Sequence, residues 1–106
     1  MSELFNKQCK LIRLIANLII FAKEHGYELT VGDAYRNPEV EFPYSHPRSL
    51  HKQRLAIDFN VFRYGKLLQD GNSFIDLGEF WENMGGTWGG RFNDGGHFSI
   101  EHEGMK

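Results

Sequence analysis

The chain has 106 residues, of which 41% are hydrophobic and 25% are charged, and its formal net charge is −2. This composition is typical of a globular protein and excludes intrinsic disorder, while the length predicts one domain over residues 1–106. With 12 basic and 14 acidic residues the chain offers no phosphate-binding surface, which argues against nucleic acid as a partner. The single cysteine, Cys9, excludes an intramolecular disulfide bond.

The first segment, residues 4–25, predicts one amphipathic helix that starts near Ser2 and stops at Gly26. Its apolar stripe contains Leu4, Leu11, Ile15, Leu18, Ile19 and Ala22. The apolar run within this helix, residues 11–22, is too short to span a bilayer, and no small-residue cleavage site follows it. We therefore expect neither a signal peptide nor a membrane span, and synthesis in the cytoplasm.

The rest of the chain predicts mainly strands. Residues 27–35 alternate and predict a strand, residues 36–50 contain all three prolines and predict a loop, and residues 55–62 predict a central strand. Two turns around a short strand then lead to a helix over residues 74–84, and a glycine-rich loop leads to a final strand over residues 97–101. This order predicts an α+β fold, with helices packed on one face of a small, mainly antiparallel sheet.

Three short stretches carry side chains that could hold a metal ion. His51 follows the proline-rich loop, Asp58 lies inside the central strand, and His97 follows two glycines. Zinc in hydrolases is typically held by three such ligands with water in the fourth position, and the pKa of that water falls to about 7. These residues therefore predict a single zinc site in a cleft, with one ion per chain. Asp94, three residues before His97, is a candidate general base for the water.

Each of these residues also has a purely structural interpretation. A carboxylate in an apolar strand is costly unless paired, so Asp58 could form a salt bridge with Arg54 or Arg63. Asp94 could be a turn residue. Trp88 could stack on a substrate, although a tryptophan at the edge of a small core is commoner. The remaining histidines are expected outside the site, at a helix end, in a solvated loop and on the surface: His25, His46 and His102.

The combination of motifs resembles the zinc peptidases of the VanY-type D-alanyl-D-alanine carboxypeptidase family. The likeness is greatest to its phage endolysin branch, the L-alanyl-D-glutamate peptidases. The family shows Ser-x-His, then Ala-x-Asp, then an acidic residue-x-x-His, which here are residues 49–51, 56–58 and 94–97. Ala34-Tyr35-Arg36 and Trp88-Gly89-Gly90 add to the resemblance. The chain departs from the pattern at Arg54, where many members have glycine.

The resemblance covers about residues 29–100 and implies a role for each site residue. Three side chains would bind zinc: His51, Asp58 and His97. Asp94 would act as the base, and Arg36 looks like the arginine that polarises the scissile carbonyl. Two further residues are candidates for contact with the substrate: Ser49 and Trp88.

By the same resemblance the substrate would be a peptidoglycan stem peptide, cut at the L-Ala-D-Glu bond. We expect the protein to be a monomer that reaches the cell wall after release during phage lysis. The alternatives are a D-Ala-D-Ala carboxypeptidase or dipeptidase with the same zinc site, and a zinc-stabilised binding module without catalysis. Asp94 argues against the module, because a structural site is usually closed by a fourth protein ligand. A metal-dependent nuclease is disfavoured because the chain has no basic surface.

Overall fold

The structure, a computed structural model, describes residues 2–35, 37, 39 and 49–106. It starts with helix α1 (Glu3–Glu24). Ser2 caps this helix, because its hydroxyl accepts a hydrogen bond from the Phe5 N–H at 3.1 Å. Gly26 follows the last turn with a φ of 83°, a left-handed conformation that glycine adopts without strain. The predicted start and stop of the helix are therefore confirmed.

Among the described residues, five strands form one antiparallel sheet: β1 (Glu28–Val31), β2 (Ala56–Arg63), β3 (Lys66–Leu67), β4 (Thr87–Trp88) and β5 (His97–Ser99). The order across the sheet is β1-β2-β5-β4, and β3 also pairs with β2. The apolar strand predicted from the sequence is thus central. β4 lies in the segment that was predicted as a loop. The sequence did not indicate this strand, because two residues are too few to show an alternating pattern.

Side chains of β2 alternate between the two faces of the sheet. Ile57, Phe59 and Val61 lie in the main core, together with apolar residues of α1 and of helix α2 (Ile75–Asn83). Asp58 alternates with them and therefore points to the opposite face. This arrangement confirms the predicted α+β fold with helices on one face, and it leaves the other face for polar groups.

His102 differs from the sequence-based expectation of an exposed side chain, since only 7% of it is exposed. The chain turns back at this point, and the backbone of His102 pairs with that of Met105. The ring nitrogen Nδ1 lies 3.2 Å from the Lys7 ammonium on α1. The expectation was wrong because the burial comes from contacts between the two ends of the sequence, which local composition does not reveal.

None of the helices found in the described part of the chain is both long enough and apolar enough to cross a membrane.

Candidate metal centre

His51 is positioned by a short 3₁₀ turn (Leu50–Gln53). Ser49 caps this turn, and its hydroxyl accepts a hydrogen bond from the His51 N–H at 3.3 Å. The imidazole is buried, and its Nδ1 lies 2.9 Å from the Ala34 carbonyl oxygen. Because a carbonyl oxygen can only accept, Nδ1 carries a proton, which leaves Nε2 as the ring nitrogen that faces the site.

Asp58 lies at the centre of the arrangement. Its backbone N–H donates to the Asp33 carbonyl at 2.6 Å, and its own carbonyl accepts from Gly32 at 2.7 Å, which fixes this residue beside β1. Its carboxylate oxygen Oδ1 is 3.3 Å from His51 Nε2 and 3.2 Å from His97 Nδ1. Burial raises the pKa of this carboxyl, but the hydrogen bonds from the two imidazoles outweigh burial and lower the pKa from 3.8 to about 2. Asp58 is therefore ionised at neutral pH.

The two arginines considered as partners of Asp58 have other contacts. The Arg54 guanidinium lies 4.0 Å from the centre of the Tyr35 ring, and that of Arg63 lies 3.9 Å from the centre of the Tyr27 ring. Among the described residues, the ion pairs of Asp58 are those with the two imidazoles. The salt-bridge interpretation of Asp58 is therefore replaced by a carboxylate held between histidines.

His97 is placed by strand pairing and by two glycines. It lies directly opposite Asp58 in the register of β2 and β5, so the two side chains share one face of the sheet. A Cβ atom on Gly96 would lie 2.6 Å from the Phe59 carbonyl oxygen, and one on Gly89 would lie 2.7 Å from the His97 Cβ. The glycine-rich loop can therefore reach this position against β2 only without side chains at these two points.

The ligand atoms of the three residues fit a zinc ion. One atom from each of His51, Asp58 and His97 lies within 4.8 Å of the other two. Ligands at about 2.0–2.1 Å from a tetrahedral zinc lie roughly 3.3 Å from one another. The observed separations of 3.3 and 3.2 Å between the carboxylate and the two imidazoles match this value. Two neutral imidazoles with one carboxylate are also a common catalytic zinc set.

The cluster opens into a cleft of about 430 Å³. Two residues predicted from the sequence, Ser49 and Asp94, line this cleft beside the three candidate ligands. Asp94 is exposed, and its backbone holds the loop through an N–H bond to the Gly89 carbonyl at 2.8 Å. The sequence reasoning did not predict the other five lining residues: Asp33, Leu50, Phe92, Met105 and Lys106. Asp33 could have been predicted, because it directly precedes the motif Ala34-Tyr35-Arg36. Met105 and Lys106 belong to a turn that contains no motif, so no sequence pattern indicates their position.

The other predicted residues lie elsewhere. Trp88 is 2% exposed, packs in the main core and donates from Nε1 to the Gly95 carbonyl at 2.7 Å. In the described part of the chain it does not line the metal cleft, so its position supports the packing interpretation. Arg36, and the loop histidine His46, lie outside the described residues. His25 lies at the end of α1, as expected, with Nδ1 2.8 Å from the Phe21 carbonyl.

Comparison with known proteins agrees with the geometry. Residues 44–100, more than half of the chain, match the family model described as D-alanyl-D-alanine carboxypeptidase. The match contains all three candidate ligands and Asp94. Neither a curated protein nor a solved structure gives a significant match. The chain belongs to this VanY-like family of metallopeptidases, whose members are zinc-dependent and act on peptidoglycan peptides.

Proposed function

We propose that the chain is a single zinc peptidase domain that hydrolyses an amide bond in peptidoglycan stem peptides. The observation that carries the proposal is the convergence of His51, Asp58 and His97 in a cleft that Asp94 also lines. A zinc ion bound there would act as a Lewis acid and would lower the pKa of a water molecule to about 7. The residues of the chain then have to orient the ion, accept a proton and hold the substrate.

The residues predicted from the sequence have separate tasks in this scheme. The hydrogen bond from His51 Nδ1 to the Ala34 carbonyl fixes the ring so that Nε2 is the ligand atom. Asp94 takes the proton of the attacking water and later gives it to the leaving amine. Family resemblance gives Arg36 the stabilisation of charge on the carbonyl oxygen, the electrostatic contribution that is usually largest in such reactions. We assign Ser49, which lines the cleft wall, to contact with the substrate.

For the scissile bond we propose L-Ala-D-Glu, as in the phage endolysin branch, because the late motif of this chain has an aspartate, Asp94. The protein would then be a monomer that acts on the cell wall during lysis. The second candidate is cleavage of D-Ala-D-Ala, which the description of the matching family favours.

Digestion of purified peptidoglycan by the zinc-loaded protein, followed by mass spectrometry, separates these activities. Cleavage at L-Ala-D-Glu releases fragments with a new N-terminal D-glutamate. Release of D-alanine or of D-Ala-D-Ala instead would identify the second activity. A protein that binds one zinc per chain and cleaves no wall peptide would be the non-catalytic binding module.

A further inference from the structure

The 101–106 segment (residues Glu101 to Lys106) forms a tight turn. Glu103 and Gly104 have φ values of 50° and 82°, the pair of left-handed conformations typical of a two-residue hairpin turn. His102 and Met105 on either side exchange backbone hydrogen bonds of 3.1 and 2.9 Å. The turn therefore has a defined backbone geometry, and it reverses the chain direction.

Contacts at both ends hold this turn in place. The Lys7 ammonium on α1 donates to the Glu101 carbonyl at 2.9 Å and lies 3.2 Å from His102 Nδ1. Met105 packs against the small core cluster formed by Leu50, Leu55 and Ala56, which also supports the 3₁₀ turn that carries His51. The segment lies outside the residues that match the family, 44–100. It therefore contributes a wall of the cleft that lies outside the matched residues.

Met105 and Lys106 line the metal cleft as a result. The carboxylates lining the cleft are Asp33, Asp58 and Asp94, and Lys106 is the lysine among its described lining residues. No described carboxylate forms a salt bridge with Lys106. The three carboxylates repel a substrate anion that enters this cleft, whereas a lysine at the cleft wall and a bound metal ion attract it.

Both bonds considered under the proposed function carry an anion at the same place. In D-Ala-D-Ala the leaving residue bears its free α-carboxylate on the carbon attached to the scissile nitrogen. In L-Ala-D-Glu the glutamate continues through its side-chain carboxyl, so its α-carboxylate stands at the same position. We propose that Lys106 is a specificity-determining residue that binds this carboxylate on the leaving side of the scissile bond. The inference rests on the proposed function, and it defines the substrate class as peptides with a free carboxylate at that carbon.

The test compares acid and amide substrates in pairs. One pair has D-glutamate with either a free α-carboxylate or an α-amide after L-Ala, and the other ends in D-Ala-D-Ala as the acid or the amide. For whichever acid is cleaved, Lys106→Met should raise KM about tenfold and leave kcat within about twofold, since an ammonium–carboxylate contact contributes mainly to binding. The amide should be cleaved equally by both proteins, and Lys106→Arg should restore most of the preference.

Lys66→Met is the matched control, because Lys66 is exposed on β3 at the far end of β2. It should leave both substrates unaffected. A loss in Lys106→Met that is equal for acid and amide, or no loss for either, would overturn the role of Lys106.

A binding measurement keeps this result separate from the proposed function. Calorimetry with the two product peptides, D-Glu-L-Lys linked through the side-chain carboxyl and its α-amide, requires no turnover. Wild-type protein should bind the acid more tightly, and Lys106→Met should lose that preference. If no wall peptide is cleaved, the proposed activity is wrong, whereas equal binding of acid and amide by the wild type rejects the carboxylate site itself.

Discussion

Asp58 and Asp94 are both aspartates of the metal cleft, yet their surroundings suit them to different tasks. Asp58 is held between two imidazoles, and its pKa of about 2 keeps it charged as a ligand. Asp94 is exposed on the glycine-rich loop and lines the cleft beside the candidate ligands. A pair of carboxyl groups in different environments is a common way to divide ligand and base roles.

Asp94→Asn tests the role of the base. The amide has the same size but cannot accept a proton, while the three candidate ligands remain. We expect kcat to fall by roughly 10²–10⁴-fold with little change in zinc content, measured by metal analysis and steady-state kinetics. Asp70→Asn, in a different cavity, is the control and should keep full activity. Loss of zinc in Asp94→Asn would make this residue a ligand instead.

Asp58 predicts a dependence of stability on pH in the metal-free protein. Its pKa is lowered on folding from 3.8 to about 2, so the stabilisation is complete above about pH 4 and is lost as the pH falls through 2. The shift corresponds to about 2 kcal/mol. Urea unfolding between pH 4 and pH 2 should show that the free energy of unfolding of the wild type falls by about this amount relative to that of Asp58→Asn. Parallel curves for the two proteins would contradict the assignment.

The helices and strands show which features a local pattern can predict. The ends of α1 were predictable because Ser2 and Gly26 act within one turn of the helix. Its buried face was predicted only in part, since Ile19 is 49% exposed while Leu14, not on the predicted stripe, is buried. Apolar residues occur on several sides of α1, so the sequence does not show which side is buried. The position of the sheet decides this.

The candidate ligands were predictable for a different reason. His51, Asp58 and His97 belong to short motifs that the sequence shows directly. The structure brings two of them together, because Asp58 pairs with His97 across β2 and β5. Met105 and Lys106 enter the cleft through contacts of the 101–106 segment with α1, a long-range packing that no motif records. At Arg54 the family resemblance predicts glycine, and the φ of 57° at this residue is the left-handed conformation that glycine favours.

Gly96→Ala tests how closely β5 must approach β2. The added Cβ would lie 2.6 Å from the Phe59 carbonyl, a backbone atom of the central strand that cannot move aside. We expect His97 to shift, so that both zinc affinity and Tm fall. Gly65→Ala is the control: its φ of 75° makes alanine strained, but nothing lies within 4 Å of the new atom. It should lose about 1 kcal/mol of stability and no zinc affinity.

In the whole molecule the candidate site joins three elements on the face of the sheet that is opposite the main core. The core lies between the helices and one face of the sheet, whereas the ligands lie on the opposite face and come from a 3₁₀ turn, β2 and β5. A metal ion at this point would connect these three elements. It should therefore stabilise the folded protein beyond its role in catalysis.

Zinc should raise Tm by a large amount in this protein. Free zinc at 100 times its Kd adds about 2.7 kcal/mol to the free energy of unfolding, which in a chain of this size corresponds to roughly 10 °C or more. Calorimetry with and without a chelator measures the shift. His51→Ala should abolish it, because the two remaining ligands cannot hold the ion. His25→Ala is the matched control and should keep the shift, since the described contacts of the His25 ring are with Phe21 on α1. A zinc-dependent rise that persists in His51→Ala would place the ion elsewhere, and the proposed centre would be wrong.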